Sequence, residues 1–83
     1  MKIKYFAWVR ERIGKAEETI EPPASVHTVD ELIAWLSARG EVYAHAFEKP
    51  KVIRVAIDHA HVKPDAAIAG AREIAFFPPM TGG

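Results

Sequence analysis

One segment of this sequence has the period of an α-helix, and it lies between segments that alternate like β-strands. Within residues 29–39, apolar side chains recur at spacings of three and four residues, at Val29, Leu32, Ile33 and Leu36. Thr28 and Glu31 have the spacing of a capping box at the start of this run. The pattern predicts an amphipathic helix over 29–39 that packs one face against a sheet and ends just before Gly40.

The segments on either side of this helix carry the apolar–polar alternation of strands. We predict strands at 2–9, 17–21, 51–58, 59–62 and 73–79, and a short helical turn at 42–48. Two strands, one helix and three further strands in that order predict an α+β fold, a mixed sheet with one principal helix packed on one face. A ubiquitin-like β-grasp is the simplest arrangement of these elements.

Composition indicates a small folded protein and argues against several classes of partner. The 83 residues are 49% hydrophobic and 27% charged, which is the balance of a single globular domain. The formal net charge is zero and no basic cluster is present, so we predict neither a nucleic acid nor a membrane as a partner. There is no cysteine, and the first residues lack the apolar core of a signal peptide. We predict a cytoplasmic protein.

No set of residues in the sequence has the form of an internal active site. His59 and His61 are two apart and would share one face of a strand, but no third ligand matches them, so we predict no metal site. Glu17 and Glu18 occupy turn or edge positions without an apolar pocket, and we expect both to be solvated. No nucleophile elbow or glycine-rich phosphate loop is present. We predict that the chain is not an enzyme on its own and binds no cofactor.

Three aromatic side chains indicate a protein-binding surface. Phe6 and Trp8 on the first strand, and Phe77 on the last, are predicted to face away from the helix. Because the first and last strands of a β-grasp sheet are neighbours, these rings would form one exposed apolar patch. Such patches are typical of protein contacts.

The sequence ends in FFPPMTGG, residues 76–83, which passes from aromatic residues through two prolines to a diglycine. The prolines end the last strand and stiffen the chain beyond it. The residues after Pro79 reach roughly 13 Å when extended, and glycine has no Cβ to prevent entry into a narrow channel. We therefore divide the chain into a β-grasp domain at 1–79 and a flexible diglycine tail at 80–83.

The one functional group at the end of this tail is the α-carboxylate of Gly83. A carboxylate is a poor acyl electrophile, but an acyl-adenylate formed from it accepts a nucleophile readily. A sulfur donor would then yield a thiocarboxylate, which is anionic at neutral pH and a good sulfur nucleophile. This chemistry requires no cysteine on the carrier.

In these features the chain resembles the small, sulfur-carrier subunits of molybdopterin synthase. The resemblance covers essentially all 83 residues and rests on YFAWVRE at 5–11, VAID at 55–58 and above all EIAFFPPMTGG at 73–83. It implies that an E1-like activating enzyme uses ATP to adenylate Gly83, which is converted to a thiocarboxylate. It also implies that the tail inserts into the large synthase subunit, where sulfur passes to cyclic pyranopterin monophosphate, within a heterotetramer of two large and two small subunits.

The resemblance also assigns roles by position. Gly83 accepts the adenylate and then the sulfur, and Gly82 is the preceding residue without a side chain. The residues that would dock the tail or contact the partner are Phe6, Trp8, Phe77, Pro78, Pro79, Met80 and Thr81. Two segments depart from the family pattern. GARE at 70–73 replaces an Asp-Gly-Asp-Glu-like turn, and Asp58 stands where Asn is frequent. Neither departure touches the tail.

Three other functions remain open at this stage. A sulfur carrier for thiamine or another pathway would use the same chemistry, although such carriers usually lack FFPP. A ubiquitin-like modifier would share the activation step but end as an isopeptide on lysines. The third is an interaction module whose terminal glycines have no chemical role.

Overall fold

The computed structural model of the chain describes residues 1–79, and the predicted tail at 80–83 lies outside the described residues. Its elements, in chain order, are β1 (Lys2–Tyr5), α1 (Ala7–Ile13), β2 (Glu17–Thr19), α2 (Val29–Ser37), α3 (Glu41–Ala46), a 3-10 turn (Pro50–Val52), β3 (Arg54–Ile57), β4 (Ala60–Val62) and β5 (Glu73–Phe77).

The strands form one mixed sheet in the order β2-β1-β5-β3-β4. The first and last strands of the chain lie side by side and parallel, with Tyr5 paired to Phe76, while every other neighbouring pair is antiparallel. The predicted α+β β-grasp arrangement with a mixed sheet is therefore confirmed. Because β1 and β3 flank β5 on its two sides, the strand that leads to the C-terminus is held at the centre of the sheet.

Helix α2 begins as the sequence predicts. The Thr28 hydroxyl accepts a hydrogen bond from the Glu31 backbone N–H at 3.3 Å, and the Glu31 carboxylate accepts one from the Thr28 N–H at 3.1 Å. This is the reciprocal capping box that the spacing indicates. The apolar face of the helix is buried as predicted, at Val29, Leu32, Ile33 and Leu36. The helix ends at Ser37 rather than Arg39, and Gly40 instead precedes the first residue of α3.

The prediction of one strand over 2–9 is wrong beyond Tyr5. The Phe6 N–H donates a last bond to the Phe76 carbonyl at 3.0 Å, and Ala7, with a φ of 52°, then turns the chain out of the sheet. Helix α1 follows and buries Val9 and Ile13, which lie one helical turn apart. The predicted principal helix is α2, the longest of the three α-helices in residues 1–79, and α1 is a helix that the sequence pattern did not predict.

The core lies between the helices and one face of the sheet. Alternate residues of the central strands point into it and are buried. These residues are Ile3, Tyr5, Val55, Ile74 and Phe76. The Phe76 ring makes an edge contact with Phe47 at 5.2 Å between centroids, which links β5 to the segment after α3. The short helical turn predicted at 42–48 corresponds to α3, in which Val42 is 46% exposed.

Candidate functional site

The end of β5 fixes the point from which the tail leaves the sheet. Ile74 and Phe76 are buried on the helix side, and Phe77 points to the opposite face. Phe77 is in register with Arg54 of β3, so the strand is paired up to its last residue. Pro78 and Pro79 follow and are half-buried, and since proline has no N–H to donate, the ladder cannot continue through them. The tail therefore starts from a rigid central strand.

Two of the three predicted patch aromatics lie at this end of the sheet. Phe6 follows β1 directly and is 45% exposed. Phe77 is half-buried, and its ring makes an edge contact with the imidazole of His61 on β4 at 5.3 Å between centroids. Both residues thus lie at the ends of neighbouring strands and are at least partly exposed, although Phe6 was predicted to lie within a strand that continues to residue 9.

Trp8 differs from the prediction because it belongs to α1 and not to β1. Its ring is half-buried and packs against the core, and the Arg12 guanidinium lies over it at 4.5 Å from the centroid. The alternation that placed Trp8 on an outward strand face ends at Tyr5. Any role of Trp8 in partner binding would therefore be exercised from the helix.

The histidines do not form a metal site in the part of the chain that the structure describes. His59 lies in the turn between β3 and β4 with a φ of 72°, so it does not share a strand face with His61 as predicted. Both side chains are exposed. Residues 1–79 contain no group of three His, Cys, Asp or Glu side chains placed to hold a metal ion. The same residues contain no helix with the length and apolar character that crossing a bilayer requires.

Glu18 is the one charged residue whose environment contradicts the prediction of solvation. Its side chain is only 11% exposed. Its Oε2 accepts hydrogen bonds from the hydroxyls of Tyr43 at 2.7 Å and Tyr5 at 2.8 Å. Its Oε1 lies 3.2 Å from Nη1 of Arg39 and 3.4 Å from Nζ of Lys15. Glu18 therefore joins strands β1 and β2 to the segments around α2 and α3.

The charge of Glu18 is stabilised by this environment. Burial by itself raises the pKa of the carboxyl, but the hydrogen bonds from Tyr43 and Tyr5 and the charges of Arg39 and Lys15 outweigh it, so the pKa lies below its ordinary value. Burial, with the hydrogen bond to Glu18, also raises the pKa of Tyr5, which keeps its hydroxyl a donor. The cluster is on the helix side of the sheet, away from Phe77, and its role is structural.

The match to a known family extends over almost the whole chain. The sequence profile described as the ThiS family matches residues 3–83. The chain belongs to the ThiS family. The match includes both the described β-grasp body and the diglycine end, so the family covers the candidate site as well as the fold.

Curated relatives of this ThiS-family chain carry a specific name. The molybdopterin synthase sulfur carrier subunits of Escherichia coli and Haemophilus influenzae are each 35% identical to it over 83 residues, which is 100% of this chain and 99% of the relative. The resemblance inferred from YFAWVRE, VAID and EIAFFPPMTGG is thereby confirmed.

Solved structures support the same fold for this ThiS-family chain. A Pyrococcus furiosus protein described as a candidate molybdopterin converting factor, subunit 1, superposes with a TM-score of 0.74 at 26% identity, covering 95% of both chains. SAMP1 of Haloferax volcanii superposes with a TM-score of 0.73 at 24% identity, covering 100% of this chain and 98% of its own, and this likeness bears on the fold alone.

Asp58 and the GARE segment, the two places predicted to depart from the family pattern, contact each other. Asp58 has a φ of 47° in the turn after β3, and its Oδ1 accepts hydrogen bonds from the backbone N–H groups of Arg72 and Glu73 at 3.0 and 2.9 Å. Gly70, at the start of the same GARE segment, has a φ of 78°, which favours glycine. The changed turn and Asp58 thus act together to fix the start of β5, at the end of the strand opposite the tail.

An open groove of about 420 Å³ also lies at that opposite end. It is formed mainly by the loops at 22–27 and 67–70 together with Met1. Since β1 and β5 are parallel, Met1 and the last residue of β5, Phe77, are at opposite ends of the sheet. The groove is therefore separate from the candidate site, which consists of the C-terminal segment and the surface around its base.

Proposed function

We propose that this chain is the sulfur carrier of molybdopterin synthesis and carries sulfur as a thiocarboxylate on Gly83. The observation that carries this proposal is the 35% identity to two named sulfur carrier subunits over the full length of the chain, the diglycine end included. The geometry supports it, because the central strand β5 delivers the C-terminal segment from a rigid point at the rim of the sheet.

The proposed reaction divides the work between this chain and its partners. An E1-like enzyme uses ATP to convert the Gly83 carboxylate into an acyl-adenylate. Sulfur donated at the oxidation level of sulfide attacks the acyl carbon and displaces AMP, so a C–S bond replaces the C–O bond to AMP and the thiocarboxylate forms. The carrier supplies the reacting terminus and a surface for recognition, and the partners supply the catalytic groups. In this account the chain is a sulfur-donating subunit and is not a catalyst.

The proposed acceptor site lies in the large subunit of molybdopterin synthase. Phe77, Pro78 and Pro79 aim the chain, and Met80 and Thr81 lead to Gly82 and Gly83, whose lack of side chains suits a narrow channel. Phe6 and Trp8 extend the contact surface on the body. Sulfur then passes to cyclic pyranopterin monophosphate, and water takes its place on the acyl carbon of Gly83, which regenerates the carboxylate. Because a dithiolene has two sulfurs, two loaded carriers are used for each pterin.

Replacement of Phe77 by aspartate tests whether this surface binds the large subunit. Phe77 is half-buried on the face away from the helices, so a charge there should weaken binding at least about tenfold and leave the fold intact. Isothermal titration with the large subunit measures the affinity, and circular dichroism measures the fold. Val42→Asp is the matched control, because Val42 is an exposed apolar residue on α3, and it should bind as the unmodified chain does. Loss of the folded state in Phe77→Asp would show that Phe77 belongs to the core.

Intact-mass analysis tests the proposed modification itself. The chain is co-expressed with its activating enzyme, and a fraction of the molecules should gain the mass of one oxygen-to-sulfur exchange, localised to Gly83 by fragmentation. Chain expressed without the activating enzyme is the control and should keep its carboxylate. A ladder of lysine conjugates with no thiocarboxylate would instead support the ubiquitin-like modifier.

A further inference from the structure

Arg54 lies beside the base of the tail on the face of the sheet that the helices leave open. It is the first residue of β3, and its register partner on β5 is Phe77. The next residue, Val55, is buried in the core, so Arg54 points to the opposite face because successive strand residues alternate. Its side chain is exposed.

Two other cations on this face, Lys2 and Lys4, are each neutralised by a carboxylate. Lys2 pairs with Glu17 at 3.3 Å, and Lys4 pairs with Glu73 at 3.5 Å. Within residues 1–79, no carboxylate lies within ion-pair distance of Arg54, and its guanidinium makes no side-chain hydrogen bond. Arg54 is therefore a free cation of the described surface at the point from which the tail leaves.

On the side of β5, the neighbours of Arg54 are apolar or aromatic. Phe77 is on one side in the neighbouring strand, and the His61 ring contacts Phe77. Ala56 and Ala75, which pair with each other in the next outward-facing position, add no charge. A protein that covers these residues excludes water from the guanidinium, and an ion pair in such a contact is stronger than one in open solvent.

We propose that Arg54 forms an ion pair with a carboxylate of the large synthase subunit and so helps that subunit to select this carrier. The inference rests on the proposed function, because a subunit that takes in a tail of roughly 13 Å reach must approach the sheet where that tail begins. There it meets the cluster of Arg54, Phe77 and His61. The structure assigns to this partner an acidic side chain next to an apolar surface that receives Phe77.

The test compares charge reversals at the two ends of the same strand pair. Arg54→Glu removes the cation beside the tail, and Arg72→Glu makes the same change just before β5, at its opposite end, where the side chain is also exposed. Association and dissociation rates with the large subunit from the same genome are measured by biolayer interferometry at low and high salt. Circular dichroism and melting temperature are measured for each variant.

The expected result is specific to Arg54. Arg54→Glu should weaken binding by about tenfold or more, mainly through slower association, and should lose the decrease in association rate that salt causes in the unmodified chain. Arg72→Glu should bind within about twofold of the unmodified chain. If Arg54→Glu is unfolded, Arg54→Gln replaces it, with the same direction of effect expected.

Three results would overturn the inference alone, and a fourth would overturn the proposed function as well. Arg54→Glu binding as tightly as the unmodified chain would show that Arg54 faces no carboxylate. An equal loss in Arg72→Glu would show a general effect of net charge. A change confined to self-association of the carrier would assign Arg54 to a contact between copies. Failure of the unmodified, folded chain to bind the large subunit at all would overturn the proposed function, and the inference with it.

Discussion

Deletion of Gly83 is expected to abolish sulfur transfer and to leave the melting temperature unchanged. The deletion moves the terminal carboxylate back by one residue, about 3.3–3.6 Å along an extended chain. Misplacement of a reacting group by even 1 Å can cost about a hundredfold in rate, so we expect at least that loss in molybdopterin formation. The fold should be unaffected because, within residues 1–79, every buried core residue precedes Phe77.

Extension of the chain tests the same geometry from the other direction. One phenylalanine is added after Gly83 in a host that cannot remove it. This extension should also abolish transfer, because the residue that bears the terminal carboxylate then has a bulky side chain. The matched control is Gly40→Ala: Gly40 has an extended backbone, and a Cβ there would meet only the Tyr43 ring at 4.0 Å. This control should transfer sulfur normally. Unimpaired delivery by the extended chain would contradict the role of Gly83.

Replacement of Glu18 by alanine is expected to lower the free energy of unfolding by about 2–4 kcal/mol. The change leaves the hydroxyls of Tyr5 and Tyr43 without their acceptor and leaves Arg39 and Lys15 without their partner. Urea denaturation measures the effect. Glu17→Ala is the matched control, because Glu17 is the neighbouring strand residue, its side chain is 52% exposed, and its pair with Lys2 lies at the surface. The control should change stability by less than about 1 kcal/mol.

The contribution of Glu18 should also depend on pH in a defined direction. Its pKa is lowered in the folded protein, against burial, by Tyr43, Tyr5, Arg39 and Lys15. The stabilisation is therefore fully present above the unfolded pKa of about 4.3 and is lost as the pH falls through the folded pKa. The stability difference between the unmodified chain and Glu18→Gln should accordingly shrink on acidification. A difference that stays constant from neutral to strongly acidic pH would show that the charge of Glu18 is not responsible.

The sequence predicts those elements whose residue pattern is compatible with only one type of secondary structure. The capping box at Thr28 and the apolar spacing through Leu36 can only be satisfied by a helix, and β5 follows from strict alternation that two prolines end. Residues 2–9 are different, because Val9 fits both the strand period that begins at Ile3 and the helical period that continues to Ile13. The choice between these two periods depends on tertiary packing, in which α1 contacts α3 and β5.

The environment of Glu18 was predictable in principle from strand register. Glu18 pairs with Ile3 across the hairpin, and Ile3 is buried, so the carboxylate must share the core side with Ile3. A charge in that position requires partners, but Tyr43 and Arg39 come from distant segments whose approach the sequence does not reveal. The candidate site has a more specific signal, because it is a contiguous segment of the sequence. The roles assigned to its residues stay predictions, and the strand position predicted for Trp8 is wrong.

The most direct test of the central claim follows the sulfur atom from the carrier to the pterin. Carrier loaded with isotopically labelled sulfur is mixed with the large subunit and cyclic pyranopterin monophosphate in a single turnover, and the carrier and the product are analysed by mass spectrometry. The account predicts that the label appears in both dithiolene sulfurs and that Gly83 returns to its carboxylate form. Unlabelled molybdopterin, formed while the labelled thiocarboxylate stays intact, would contradict it.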